Sequence, residues 1–142
     1  MSDQYTLEAN KALIRRWFEE VWNKGRADAI TEMMAEDCVI HGLSEDGQPL
    51  VGRAAFFPFH TKFREAFPAI EVVVEDALAE DDKVAVRCSV RGKHEGNSLG
   101  FEATGATAEF DGLGIARVKD GMFVEVWNNF DFMKMFKQLG AL

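Results

Sequence analysis

Tyrosine is almost missing from this chain: a single Tyr stands against twelve Phe and three Trp. Such an aromatic set packs and stacks well but brings few hydroxyl donors with it. Basic residues are short too, with 16 Lys and Arg against 24 Asp and Glu and a formal net charge of −8. Affinity for phosphate backbones and anionic lipid comes from clustered cations, so nucleic acid and membrane surfaces drop out as partners. No window approaches the roughly 18 apolar residues of a membrane span, and Met1-Ser2-Asp3-Gln4 lacks a basic region followed by an apolar stretch. Only two cysteines occur, Cys38 and Cys88, both in apolar strand-like runs without C-x-x-C spacing. They read as small buried hydrophobes in a reducing compartment, which points to the cytoplasm. The three histidines, His41, His60 and His94, are separated by 19 and 34 residues and form no local chelate, so no metal is expected. G-x-G-x-x-G and Walker motifs are absent as well, which removes the usual nucleotide-binding signatures.

What remains is an ordinary soluble composition of 142 residues. One domain of that length, residues 1–142, buries roughly 68 to 70% of its unfolded surface, enough to enclose a pocket as well as a core. From Thr6 to Asn23 the apolar residues Leu7, Leu13, Ile14, Trp17, Phe18, Val21 and Trp22 recur at three- and four-residue steps, predicting an amphipathic helix closed by Gly25. Asp28 can cap a second helix through Met34, and Cys38 to His41 is a short β-prone run. A third helix over Arg53–Phe67 carries five phenylalanines, among them Phe63, with Pro58 in its first turn or at a kink. After Pro68 the period becomes alternating. Ile70–Leu78, Lys83–Gly92, Ala106–Val118 and Met122–Phe130 read as strands, and Glu95–Gly105, with three glycines, as a loop. Helices first and a meander afterwards give α+β.

Large apolar groups occupy both the odd and the even positions of the last strand, so both of its faces should be covered. Helices on one face and a second subunit on the outer face satisfy that pattern, with the cavity on the helix side. The Asp-Gly turn then decides where Arg117 goes. A two-residue Asp120-Gly121 turn pairs Lys119 with Met122 and sends Arg117 away from the face of Asp131. A three-residue Lys119-Asp120-Gly121 turn pairs Val118 with Met122 and puts Arg117 with Phe123, Trp127 and Asp131. The second suits a left-handed glycine at the third loop position, although a bulge elsewhere changes the count.

Asp131 is the leading catalytic candidate. It ends an apolar strand and precedes Phe132-Met133-Lys134-Met135-Phe136, neighbours that would desolvate a carboxyl and make it a better base near neutral pH. Aspartate is equally a preferred helix N-cap, and a helix begins at Phe132. A carboxylate opening into a closed apolar cavity favours the base; one engaged by the amides of Met133 and Lys134 favours the cap. Arg117 can pair with Asp131 or steady a developing oxyanion, or simply sit solvated near a turn. His41 at a strand end and His94 at the mouth of the glycine-rich loop are candidate ligand contacts, whereas His60 reads as structural. Trp17, Phe63, Trp127 and Asn129 complete the candidate lining of a pocket for a small apolar ligand.

Taken in order, Phe18-Glu19-Glu20-Val21-Trp22-Asn23-Lys24-Gly25, Ala66-Phe67-Pro68, Val84-Ala85-Val86-Arg87, Gly92-Lys93-His94-Glu95-Gly96, Ala103-Thr104-Gly105, Arg117-Val118-Lys119-Asp120-Gly121, Glu125-Val126-Trp127 with Asp131, and Gln138-Leu139-Gly140 make the chain resemble the SnoaL-like polyketide cyclases of the nuclear-transport-factor-two-like superfamily. The resemblance implies a cone-shaped α+β barrel: N-terminal helices on a curved mixed or antiparallel sheet and a short C-terminal helix. It also implies a cofactor-free pocket and a homodimer. By the same resemblance, Asp131 is the acid/base of an intramolecular aldol condensation. The position of Arg117 holds a histidine in some of those cyclases. A non-catalytic dimeric small-molecule-binding module of the same fold is the competing expectation.

Overall fold

The computed structural model describes residues 4–142. Helix α1 (Gln4–Trp17) runs directly into a π-helical turn, Phe18–Asn23. Together they cover the single helix expected there, the wider turn carrying Phe18, Val21 and Trp22 into the core. Its end is tied down by side chains. Asn23 copies a strand neighbour, its amide nitrogen donating to the Val72 carbonyl at 2.9 Å while its oxygen accepts from the Val72 amide at 2.6 Å. His60 donates through Nε2 to the Val21 carbonyl at 2.7 Å, satisfying an acceptor that the helix end leaves open.

Helix α2 (Ala27–Met33) begins after Arg26, which makes no side-chain cap; Asp28 lies inside the first turn and pairs with Arg26 at 3.2 Å. The cap expected of Asp28 is therefore a favourable charge near the helix N-terminus instead. Strands β1 (Met34–His41) and β2 (Leu50–Val51) precede α3 (Arg53–Ala66), which continues through Pro58. The meander follows as β3 (Glu71–Glu80), β4 (Lys83–Lys93), β5 (Thr107–Lys119) and β6 (Met122–Phe130), closed by α4 (Phe132–Gln138).

The six strands form one mixed sheet in the order β2-β1-β6-β5-β4-β3, antiparallel throughout except where β1 runs parallel to β6. Val84, Val86, Cys88 and Val90 of β4 and Ala108, Phe110, Ala116 and Val118 of β5 are buried on the face that the helices cover. The fold is α+β, an open curved sheet with helices packed on one side.

Two details of the β5–β6 hairpin correct the expectation drawn from its turn. Lys119 pairs with Met122, and Asp120 and Gly121 both have positive φ, 53° and 76°, so the turn has two residues rather than the favoured three. A bulge then follows, with Val118 opposite Phe123 but Arg117 opposite Glu125. The extra residue moves Phe123 to the helix side and leaves Glu125, Trp127 and Arg117 together on the outer face.

Candidate functional site

Between the helices and the inner face of the sheet lies an apolar cavity of about 90 Å³. Trp17, Phe63, Phe110, Phe123, Val126 and Phe130 are among its walls. No ionisable side chain lines it among the described residues; beyond its indoles, the polar contribution comes from Asn128, whose amide nitrogen donates to the His41 carbonyl at 3.0 Å. The bridging of Val21 by buried His60 fits the structural role predicted for that histidine. Burial holds its pKa below the ordinary 6.5, against the pull of the Val21 carbonyl.

Asp131 does not open into this cavity. Its side chain is exposed and accepts from the Lys134 amide at 3.0 Å, capping α4. Its backbone amide donates to the Asp111 carbonyl, also at 3.0 Å, anchoring the end of β6. Of the two geometries weighed for this carboxylate, the chain adopts the cap, because α4 starts one residue later and needs an acceptor there.

His94 is also displaced from its expected place at a pocket. It is fully buried between Phe67 and Phe101, with ring centroids 5.7 and 5.2 Å away. Its Nδ1 accepts from the Thr104 amide at 3.1 Å, while Nε2 has no polar partner. The histidine therefore closes the 95–105 loop on itself, a role that the glycines around it concealed.

The ionisable groups gather on the outer face. Glu125 sits between two cationic or proton-bearing neighbours: His41 Nε2 lies 2.8 Å from Oε2 and Arg117 Nη1 lies 3.1 Å from Oε1. Arg117 also reaches Asp82, Nε to Oδ2 at 3.4 Å. Beside them the Trp127 indole carries His41 stacked at 5.5 Å, with planes 9° apart, and the Arg117 guanidinium 5.6 Å from the ring centre. Topology makes this cluster. His41 and Trp127 are direct neighbours across the parallel β1–β6 ladder, and Arg117 and Glu125 across the antiparallel one. Sequence reasoning missed Glu125 because its partners come from strands 84 and 8 residues away; its place two residues before Trp127, on the same strand face, was the available signal.

Next to this cluster runs an open groove of about 590 Å³ bounded by Asp76, Leu78, Arg87, Leu113, Ile115 and Trp127. Asn129 lines this groove and not the interior cavity, on the face opposite to the helix side where the cavity was expected.

With that geometry in place, comparison with known proteins gives the lineage. The family model of SnoaL-like polyketide cyclases matches residues 12–139. The chain belongs to the SnoaL-like polyketide cyclase family. It is 28% identical over 130 residues to aklanonic acid methyl ester cyclase DauD of Streptomyces sp. (strain C5), covering 90% of this chain and 80% of that protein. The same identity and span relate it to aklanonic acid methyl ester cyclase DnrD of Streptomyces peucetius, of which 88% is covered. Among solved structures, wild-type IdmH of Streptomyces antibioticus is 31% identical, with a TM-score of 0.77 over 91% of this chain and 96% of that one. A SnoaL-like protein of Jannaschia sp. CCS1 superposes with a TM-score of 0.87 over 100% of this chain and 99% of its own, at 24% identity, and shows the shared fold. Membership supports binding of a small molecule and a cyclase-like role. Among the described residues, no helix is long and apolar enough to cross a membrane.

Proposed function

We propose that this SnoaL-like chain is a cofactor-independent acid/base enzyme acting on an apolar carbonyl compound, by polyketide cyclase-like intramolecular aldol chemistry or a related isomerisation. The observation that carries the reading is the position of Trp127. Its residue lines both the apolar interior and the outer groove, and its indole is flanked by the one histidine–carboxylate pair among the described residues. Apolar surface for a substrate and groups able to move a proton thus meet at one side chain. The two Streptomyces relatives, both named as cyclases of aklanonic acid methyl ester, support a carbonyl-bearing polyketide as the compound class. Asp131 enters this reading through the resemblance alone, since its exposed carboxylate serves α4.

A second reading, a non-catalytic dimeric small-molecule-binding module, is favoured by that same cap. In either case the partner is a second copy of the chain, meeting at the β3 end of the outer face, where Leu78 is 70% exposed and Val73 44% exposed. The compartment in this reading is the cytoplasm, in line with two free, buried thiols.

The deciding experiment incubates the purified protein with a panel of polyketide esters and bicyclic ketones, comparing the parent with Asp131→Asn. Product formation by the parent supports the enzyme, and its survival in Asp131→Asn removes Asp131 from the chemistry. Tight binding across the panel with no turnover selects the binding module.

A further inference from the structure

We infer that Asn128 sets the ligand specificity of the interior cavity: its Oδ1 accepts a hydrogen bond from a ring hydroxyl seated over Gly114. This rests on the small-molecule reading above, catalytic or not, and names the chemical group that the site selects.

Strand register builds the place. Val86 of β4 lies opposite Gly114 of β5, and Gly114 lies opposite Asn128 of β6. Leu113 and Ile115, on either side of Gly114, are exposed on the outer face, so a Cβ on Gly114 would stand on the inner one. A glycine there leaves a gap in the row. The neighbouring row has a gap too, at Gly112 between Cys88 and Phe130, but the Phe130 ring fills it, and a Cβ on Gly112 would collide with Cδ2 of that ring. No side chain fills the gap at Gly114. A Cβ there would meet the Trp127 carbonyl oxygen at 3.2 Å, Val86 Cγ1 at 3.6 Å and Asn128 Oδ1 at 4.0 Å. Val86, Gly114 and Asn128 all line the interior cavity, so the gap is part of its floor and Oδ1 stands at the edge of that gap.

The orientation of the amide follows from its other bond. Asn128 Nδ2 donates to the His41 carbonyl at 3.0 Å. A carbonyl only accepts, so the nitrogen faces it and the oxygen is turned the other way. Oδ1 has no partner among the described residues. The backbone of the residue is held as well: Gly42 lies against the Asn128 carbonyl, so close that a Cβ on it would collide. The acceptor is therefore fixed before a ligand arrives, which lowers the ordering cost of binding.

Chemistry then selects the ligand. Asn128 supplies the one side-chain oxygen on the cavity wall among the described residues, and Trp17, Phe56, Phe59, Phe63 and Phe132 are among the aromatic groups around it. An acceptor in such surroundings costs free energy when a bound ligand leaves it unpaired. Neither a hydrocarbon nor a simple ketone has a proton to give it. A hydroxyl does, and the aromatic walls take the ring that bears it. The ligand class is a planar, largely apolar ring compound carrying a hydroxyl, with any reacting carbonyl elsewhere on the same molecule.

The test compares phenol with toluene, two single rings of nearly the same shape that differ in the donor. One ring suits a cavity of about 90 Å³, of the same order as the roughly 150 Å³ that takes benzene in an engineered core. Dissociation constants are read by NMR titration of the parent and of Asn128→Leu, with folding checked by thermal melting. Asn128→Leu should weaken phenol binding by about 10-fold or more, while toluene should bind as well as before or better. A crystal structure of the parent soaked with phenol should place the hydroxyl oxygen about 3 Å or less from Asn128 Oδ1, a readout that stands even if the variant does not fold. Equal losses for both rings in Asn128→Leu, phenol bound with its hydroxyl elsewhere, or toluene admitted and phenol excluded by the parent each overturns this inference and leaves the small-molecule reading intact. A parent in which neither ring perturbs a cavity residue overturns both.

Discussion

His41 and Trp127 lie directly opposite one another on parallel strands, and their rings stack 5.5 Å apart with planes 9° from parallel. That contact ties β1 to β6 and sets the imidazole against Glu125. A double-mutant cycle through His41→Ala and Trp127→Ala, read by urea unfolding, is expected to give a coupling of about 0.5–1.5 kcal/mol. A coupling near zero would mean that the two rings are neighbours without interacting.

The cap at α4 gives a separate expectation. Asp131→Ala should cost about 1 kcal/mol in urea unfolding, and Asp131→Ser markedly less, because serine still accepts from the Lys134 amide. Equal losses for both substitutions would argue against capping as the source of the effect.

Acid should weaken the fold through His60. Its native pKa lies below the ordinary 6.5, so the unfolded chain binds the proton first. The stability tied to this group is present above about pH 6.5 and declines as pH falls toward the lowered native value, with a slope of at most about 1.4 kcal/mol per pH unit. Urea midpoints between pH 5 and 8 should show this slope in the parent and a shallower one in His60→Gln. The same slope in both would reassign it to another group.

Backbone crowding beside the proposed site is testable at Gly42, where φ is 88° and a Cβ would collide with the Asn128 carbonyl oxygen. Gly42→Ala should destabilise by about 1–3 kcal/mol or more. Gly47, with φ 78° but open space around it, is the control: Gly47→Ala carries the conformational cost without the collision and should lose less.

The two thiols should be inert in the folded protein. Burial, the largest influence, pushes both Cys38 and Cys88 up to about 12, leaving little thiolate at neutral pH. Reaction with a disulfide reagent is expected to be slow in buffer and fast in urea. Rapid labelling of either cysteine in buffer would show that its strand opens.

Much of the architecture was legible because it rests on local periodicity. The three- and four-residue spacing of Ile14, Trp17, Phe18, Val21 and Trp22 predicts a buried helical stripe, and these residues are buried, the π-helical turn taking up the last of them. The four long strands, α3 through Pro58 and the closing α4 follow from alternation and breaker residues in the same way. Asp131 could be read only as a choice between a base and a cap, since both call for an acid at the head of a helix.

From its order of residues alone, the chain determined its elements, their α+β succession, its acidic surface and the family whose pattern it shares. Each of these depends on neighbours a few positions apart. Tertiary structure alone decided which face each side chain takes. One extra residue in the β5–β6 bulge sends Phe123 inward and Glu125 outward, and a parallel pairing of β1 with β6 brings His41 beside Trp127. Because side chains alternate with a period of two, a single-residue shift reverses every assignment beyond it. That shift is set by the pairing of strands far apart in the chain.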